Sequence, residues 1–413
     1  MTQQTQNPAT EVDVAIVGGG LVGASLAAAL IGTGVRVLLI EGVPFDSAAQ
    51  PSFDERTTAL GNASRRIFAA LGVWDELAPQ AGPIRSIHVS EAGRFGFARL
   101  EAREQGIEAF GYVLANRALG AALWRRLERA PDLTLRVPAR LAGLQIGPGA
   151  VELAIEDAAG RSEAFRAHLV VAADGAHSQV RTAAGIEAAV EDYEQMAVVA
   201  TVATDAPHQA RAFERFTAAG PLAVLPLFDG RLAVIWATTP GNAQRLLALT
   251  EADYLAELQR AFGWRAGRFT ASGRRGSYAL KLTRAAAPVG PRTVLIGNAA
   301  QALHPVAGQG FNLGLRDAAM LAEVLAQTPG DAGAPQLLAR FAAWRARDRS
   351  GVVRFTDSLV KLFGDQRPGV GLLRNLGLLA FDLSSPAKSA LARVSAGFGG
   401  PAPRLARGLA LRP

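Results

Sequence analysis

The segment that most restricts this chain is VGGGLVGA at residues 17–24, because of what stands on either side of it. Residues 12–17 form a short β-rich run, residues 21–31 an Ala/Leu-rich helix and residues 35–40 a second buried strand, so the chain opens with a βαβ unit. Gly18, Gly20 and Gly23 fall in the GxGxxG pattern directly after the strand and at the mouth of the helix. A tight turn, close approach to a pyrophosphate and tight helix packing each call for glycine, and the helix N-terminus supplies amide donors and a positive dipole. Glu41 ends the second strand at the distance where an acid accepts from ribose hydroxyls. A glycine-rich turn with a solvated Glu41 is the bland alternative; strand, helix, second strand and acid together point to a dinucleotide site, FAD or NAD. The uncharged stretch 14–35 is long enough to raise the question of a membrane span, but its glycines weaken a spanning helix, and it reads as strand, turn and helix.

A length of 413 residues exceeds one typical domain and predicts two closely connected ones. Hydrophobic residues at 49% and charged residues at 19% suit a well-buried globular enzyme and argue against disorder. Cysteine is absent, which removes disulfides, thiolate metal sites and cysteine nucleophiles, so redox chemistry must come from a bound cofactor. No metal is expected. The net charge of +7 is spread over scattered arginines without interleaved aromatic platforms, which speaks against nucleic acid and suits an anionic membrane surface better. The N-terminus MTQQTQNPATEVD has no basic or apolar signal region, so a cytoplasmic location is expected, with peripheral placement on the inner face of the membrane left open.

Helical spacing recurs over 65–77 and 117–129, and residues 169–173 and 293–296 are short buried strands that return to the first sheet. Between about 186 and 277 the chain changes to antiparallel strand patterns, with Asp229-Gly230 as a hairpin turn. The expected fold is therefore α/β, a Rossmann-like dinucleotide-binding domain with an inserted antiparallel β-sheet substrate domain and a helical C-terminal region. The expected boundaries are 1–180 (with part of the substrate domain near 80–100), 181–279 for the inserted sheet, 280–345 for the second part of the nucleotide domain and 346–413 for the C-terminal helices and tail.

Two later motifs bear on the cofactor. AADGAHS at 172–178 follows a buried strand, and GNAAQALHPVAGQGFNLGLRDA spans 297–318, running from a strand end through a loop with Pro305 to a turn at Gly308 and Gly310 that opens a helix. Such a helix mouth offers backbone amides to the flavin pyrimidine edge, where negative charge collects on reduction. Each piece also has a purely structural reading, Asp174-Gly175 as a turn and Asn298 as a cap.

In order and spacing, the Gly18–Gly23 turn with Glu41, the Asp174-Gly175 motif and the 297–317 segment resemble the flavoprotein aromatic hydroxylases of the para-hydroxybenzoate hydroxylase fold. The long glycine-rich segment looks like the ubiquinone-biosynthesis branch, hydroxylases of polyprenylated methoxyphenols, and FDERTTAL, GPLAVLPLFDGRLAVIW and TDSLVKLFG are similar to that branch too. The resemblance implies that Gly18, Gly20, Gly23 and Glu41 hold the ADP half of FAD, with Arg56 and Arg117 near the cofactor. It implies that Asp174 lies along the cofactor and is linked to NAD(P)H use, and that Asn298, Gly308, Gly310 and Asn312 belong to the flavin end. Most of the family carries aspartate where this chain has Asn298; an amide still donates and accepts but brings no negative charge beside the flavin.

Further, the resemblance implies NAD(P)H and O2 as cosubstrates and oxygen transfer from a flavin C4a-hydroperoxide to a polyprenylated phenol. His304, Pro305 and Gly310 are the catalytic candidates, although His304 before Pro305 serves equally well as a backbone hydrogen-bond partner. Tyr193 and Gln195 either face the cavity or sit in a strand. The apolar and basic stretch 355–383 either rests on a membrane or on other ubiquinone-biosynthesis enzymes, or closes the core, and a homo-oligomer is compatible with everything above. Two other readings share the same motifs: an FAD-dependent isoprenoid oxidoreductase without oxygen insertion, and a flavin-binding assembly component of a quinone-synthesis complex.

Overall fold

In a computed structural model of the protein, residues 9–45, 47, 50, 56–302, 308–347, 370–396 and 402–411 are described. The strand Thr10–Val17 lies inside the first sheet, parallel both to Val37–Ile40 and to Ser162–Ala172. The helix Leu21–Leu30 connects the first two strands, completing the βαβ unit. Val37–Ile40 is buried at every position, which is why it reads as an unbroken apolar run rather than an alternating one. Ser162–Ala172 pairs in turn with Thr293–Leu295, so the two later apolar runs return to this sheet, which has eight strands among the described residues. The helices Leu21–Leu30, Asn116–Glu128 and Gln309–Ala326 pack together against it and form the largest core.

The inserted sheet is antiparallel through Ala188–Thr204, Leu232–Thr238, Gly220–Pro226 and Arg211–Thr217, with Asp229 and Gly230 in the turn between two of them. Gly230 has φ +86°, the left-handed conformation that makes glycine the natural residue there. Ser86–Glu91 and Phe97–Glu101, from much earlier in the chain, extend this sheet through parallel pairing with Arg211–Thr217. One face carries Val198, Leu222, Val224, Val234 and Trp236 against the helices Pro240–Ala248 and Glu251–Phe262. Strand alternation turns the intervening residues to the opposite face, where they meet a cavity.

One local expectation differs from the structure, and for one stretch whose role the sequence leaves open the described part packs on the body of the protein. The helical pattern over 65–77 is broken: Asn62–Ala70 ends before Gly72, whose φ is +74°, and a separate turn of helix spans Trp74–Leu77. The described part of the 355–383 stretch, the helix Val370–Leu383, packs on the strand Phe97–Glu101. Asn375 fixes it by accepting from the Gly96 N–H at 2.8 Å and donating to Glu91 Oε2 at 2.8 Å. Gly377, Leu378 and Phe381 wall the cavity, while Leu376 and Leu383 remain exposed. Among the described residues no helix is long and apolar enough to cross a membrane.

Candidate functional site

The turn after the first strand is built so that only glycine fits. Gly18 has φ +103°, and a Cβ there would stand 2.5 Å from the Ala173 carbonyl oxygen. A Cβ on Gly19 would run into Trp124 and Glu41, and one on Gly23 would collide with the Gly18 carbonyl. Gly23 therefore serves the close packing of helix on turn and does not line the cavity, whereas Gly18 and Gly20 do. Glu41 holds the turn from the end of its strand, accepting from the Gly19 N–H at 2.6 Å and the Val43 N–H at 2.9 Å, and it too faces the cavity.

The second motif folds back onto the first. Asp174 Oδ2 accepts from the Gln179 and Val180 N–H groups at 2.8 and 3.2 Å, capping the short helix that follows, but Asp174 Oδ1 is buried without a hydrogen-bond partner among the described residues. Arg181 is buried and donates to the carbonyls of Ala299 at 2.9 Å and Ala176 at 2.8 Å, tying the Asp174 loop to the Gly297–Ala299 turn that carries Asn298. Asp174 and Asn298 both line the cavity.

The third motif supplies the far wall. Gly308, at φ +60°, is the N-cap of the helix Gln309–Ala326, and both Gly308 and Gly310 border the cavity. A Cβ on Gly310 would touch nothing within 4 Å among the described residues, and the space beside it belongs to the cavity. Both long helices, Leu21–Leu30 and Gln309–Ala326, start without a side-chain cap and without an acid in the first turn among the described residues. Their first-turn amides and positive dipole ends are thus left for an anionic or electron-rich ligand.

The cavity these walls enclose has a volume of about 1790 Å³, beyond the roughly 300–1,000 Å³ of an ordinary small-molecule pocket and large enough for a dinucleotide beside a second ligand. Arg56 lines it, its guanidinium 5.5 Å from the centroid of the Tyr278 ring, which also lines it. Arg117 does not; it is exposed on the helix Asn116–Glu128, and its neighbour Asn116, which accepts from Thr58 Oγ at 2.6 Å, lines the cavity instead. Asn312 also points away. Its amide makes four bonds, to Gly61 N, Ser64 Oγ, Ala59 O and Gly308 O, which exhausts its capacity in fastening the helix start to the neighbouring strand. Tyr193 lies in a β-bulge and Gln195 resumes the pairing after it, and both are absent from the wall; Gln195 donates to the Ala219 carbonyl. His304 and Pro305 lie outside the described residues.

These placements fit a bound dinucleotide: a turn only glycine can make, two uncapped helix starts and an unpartnered acceptor, all on one cavity. Residues 11–356 match the family described as FAD binding domain. The chain is 41% identical over 406 residues to ubiquinone hydroxylase UbiL of Rhodospirillum rubrum, covering 97% of this chain and 93% of that protein. The chain belongs to this family of FAD-binding ubiquinone hydroxylases. It is also 36% identical to 3-demethoxyubiquinol 3-hydroxylase of Escherichia coli over 375 residues, 89% of this chain and 94% of that one. The crystal structure of p-nitrophenol 4-monooxygenase PnpA from Pseudomonas putida DLL-E4 superposes with a TM-score of 0.77 at 20% identity, covering 95% of this chain and 99% of that chain, which shows a shared fold. The protein is accordingly a flavin-dependent enzyme of the monooxygenase type, with FAD as its cofactor.

The sequence reading missed one cavity residue of note. Glu214 lies on Arg211–Thr217 among apolar residues; it is open to the cavity yet deep in the molecule, and burial pushes its carboxyl up to about 7. The signal was present as alternation: in RAFERFT, residues 212, 214 and 216 share one face, and the only charged one is Glu214.

Proposed function

We propose that this protein hydroxylates the aromatic ring of a polyprenylated methoxyphenol in ubiquinone biosynthesis, using FAD, NAD(P)H and O2. The observation that carries this reading is the continuity of one cavity from Gly20, through Asp174 and Asn298, to Gly310 and on to the apolar face of the inserted sheet. Gly18, Gly20 and Glu41 would hold the ADP half of FAD, Asp174 Oδ1 and Asn298 its middle, and the helix start at Gly308–Gly310 its isoalloxazine edge. Once reduced, FAD supplies the activated oxygen; the protein's own residues bind the phenol, orient its ring and keep water out.

Residues 181–279 together with the strands near 80–100 would receive the substrate. Ile87, Leu100, Ala223, Leu225, Ile235 and Phe381 line the cavity on that side and suit a prenyl chain. So apolar a substrate calls for collection from a membrane surface or from neighbouring enzymes of the pathway, and Leu383, 86% exposed at the end of its helix, lies on the segment suited to that contact. The relatives reported above are named as hydroxylases, which favours oxygen insertion over the isoprenoid-oxidoreductase and assembly-component readings.

The test is purification followed by turnover. The protein should emerge yellow with FAD, and NAD(P)H oxidation should accelerate when a prenylated methoxyphenol is added, with O2 consumed and a product heavier by one oxygen. A colourless protein that cannot be reconstituted with FAD defeats the reading.

A further inference from the structure

Glu214 occupies a place where the fold has no use for a charge. Its cross-strand neighbours on the cavity face are Val89 and Ala223, and the next residues out in the same row are Ala98 and Ile235. Ala212 and Phe216 flank it along its own strand. Among the described residues its carboxylate has no hydrogen-bond or ion-pair partner. The strand Gly220–Pro226 beside it carries no ionisable residue. Arg215 points to the other face, where it donates to the Ala261 carbonyl, and so does His88, between Phe97 and Phe213. Arg211 donates to Ser86, which also alternates away from the cavity, and Glu91, one step further along, receives the Asn375 amide. The other ionisable groups of the cavity wall, such as Lys281, His177 and Arg181, come from outside these rows.

An unpartnered carboxylate in an apolar setting costs stability and is retained where a ligand gives it a partner. A polyprenylated phenol has one polar hydrogen to offer such a group, its hydroxyl. We propose that Glu214 binds the phenolic hydroxyl of the substrate and takes its proton during ring oxygenation, an inference that rests on the hydroxylase reading above. In this step the phenol O–H bond breaks and a carboxyl O–H bond forms. The electron pair stays on the phenolic oxygen and conjugates into the ring, enriching the carbons ortho and para to it. No electron changes hands, and the single negative charge moves from the carboxylate to the phenolic oxygen. After oxygen insertion Glu214 returns the proton and is again a carboxylate.

The apolar surroundings serve this role. A phenol titrates near 10 and an ordinary glutamate near 4.5, a poor match for proton transfer; with its carboxyl pushed up to about 7, Glu214 is the stronger base. Among the described residues the apolar rows on either side leave the hydroxyl one side-chain acceptor at this part of the wall, which fixes the ring's orientation as well.

The test compares the FAD-loaded wild-type protein with Glu214→Gln and Glu214→Asp, using a methoxyphenol with a short prenyl chain and its O-methyl ether, and following binding through the flavin absorbance. The wild type should bind the phenol at least about tenfold more tightly than the ether, a charge-assisted hydrogen bond being the difference. That preference should fade as pH falls through about 7. In Glu214→Gln the preference should shrink to less than about threefold at every pH, and kcat at neutral pH should fall on the order of a hundredfold with FAD content unchanged. Glu214→Asp should recover part of both. Equal turnover by wild type and Glu214→Gln, or a wild type indifferent to methylation of the hydroxyl, overturns the role of Glu214. Failure of the wild type to give any hydroxylated product sinks the hydroxylase reading as well.

Discussion

The Arg181 guanidinium donates at 2.9 Å to the carbonyl of Ala299, a residue 118 positions further along the chain, and by doing so locks the Asp174 loop against the Asn298 turn. A second arm of the same group holds the Ala176 carbonyl at 2.8 Å, so one buried cation satisfies two loop carbonyls that have no strand to pair with. Arg181→Ala would leave both oxygens short of a donor and allow the two loops to part. We expect a loss of about 2–4 kcal/mol in folding stability and, in protein that still folds, FAD affinity weaker by on the order of tenfold. Thermal unfolding and flavin fluorescence titration measure the two effects separately; an unchanged flavin affinity would mean that the loops are positioned independently of one another.

What was legible in the sequence follows from how far each signal reaches. The βαβ opening is local, with an apolar run, a glycine turn and a second apolar run all within residues 10–40, and strand, helix and strand appear within two residues of where the pattern places them. In the inserted sheet only the hairpins joining Arg211–Thr217, Gly220–Pro226 and Leu232–Thr238 are equally local; Ala188–Thr204 skips past them to pair with Leu232–Thr238 and with Gly276–Ala285, and Ser86–Glu91 joins Arg211–Thr217 across more than a hundred residues. Motif membership does not say which way a side chain points. Gly23 and Asn312 sit inside the expected motifs but are consumed by packing and by hydrogen bonds to the backbone. Arg117 and Asn116 are adjacent, and the rotation of their helix, fixed by its buried side, is what turns the asparagine to the cavity. Glu214 was visible as the odd member of an alternating strand, but which face met the cavity depended on helices 240–248 and 251–262 covering the other.

Gly18 and Gly310 separate two reasons for glycine. Gly18→Ala places a methyl 2.5 Å from the Ala173 carbonyl oxygen in a left-handed backbone, so it should lower stability by at least about 2 kcal/mol and abolish flavin retention. Gly310→Ala meets no atom of the described residues and lies in a helix, where alanine is favoured by up to about 1 kcal/mol, so the empty protein should be as stable or more so. If Gly310 is kept small for a ligand, flavin affinity or turnover should nonetheless fall by on the order of tenfold, since roughly 1.4 kcal/mol of crowding suffices. Melting curves of apoprotein set against flavin titrations decide the matter, and a Gly310→Ala enzyme with full activity would remove this wall from the site.

Asn312 is expected to behave as a structural residue. All four of its side-chain bonds end on Gly61, Ser64, Ala59 and Gly308, joining the start of the helix Gln309–Ala326 to a strand some 250 residues earlier. Asn312→Ala should cost about 3 kcal/mol through stranded buried partners. Asn312→Asp keeps the shape but loses both amide donations to the Ala59 and Gly308 carbonyls and turns an acceptor toward them, so it should be no better tolerated. Saturating flavin ought to restore turnover per folded molecule in either variant. A specific loss of turnover in fully folded, flavin-loaded protein would instead give Asn312 a part in the chemistry.

Glu214 and His88, on opposite faces of adjacent strands, should pull the stability of the empty protein in opposite directions over nearly the same pH range. Burial holds Glu214 protonated up to about 7 in the folded state, against 4.5 unfolded, so the unfolded chain binds fewer protons between those values and stability falls as pH rises. His88 is buried between Phe97 and Phe213, and burial, reinforced by Arg265, Arg99, Arg211 and Arg215, pushes its imidazole down to about 4 from 6.5. There the unfolded chain binds more protons, and stability falls as pH drops from about 6.5 toward 4. Each effect amounts to at most about 3 kcal/mol, less whatever water in the cavity and the exposed arginines screen. Glu214→Gln should therefore be more stable than the wild type above pH 7, by a margin that shrinks as pH falls toward 4.5. His88→Leu should lose the acid-side decline and keep the neutral-side one. Denaturant unfolding at half-unit pH intervals would trace both, and curves for wild type and Glu214→Gln that run parallel from pH 4.5 to 7 would show that the carboxylate is solvated after all.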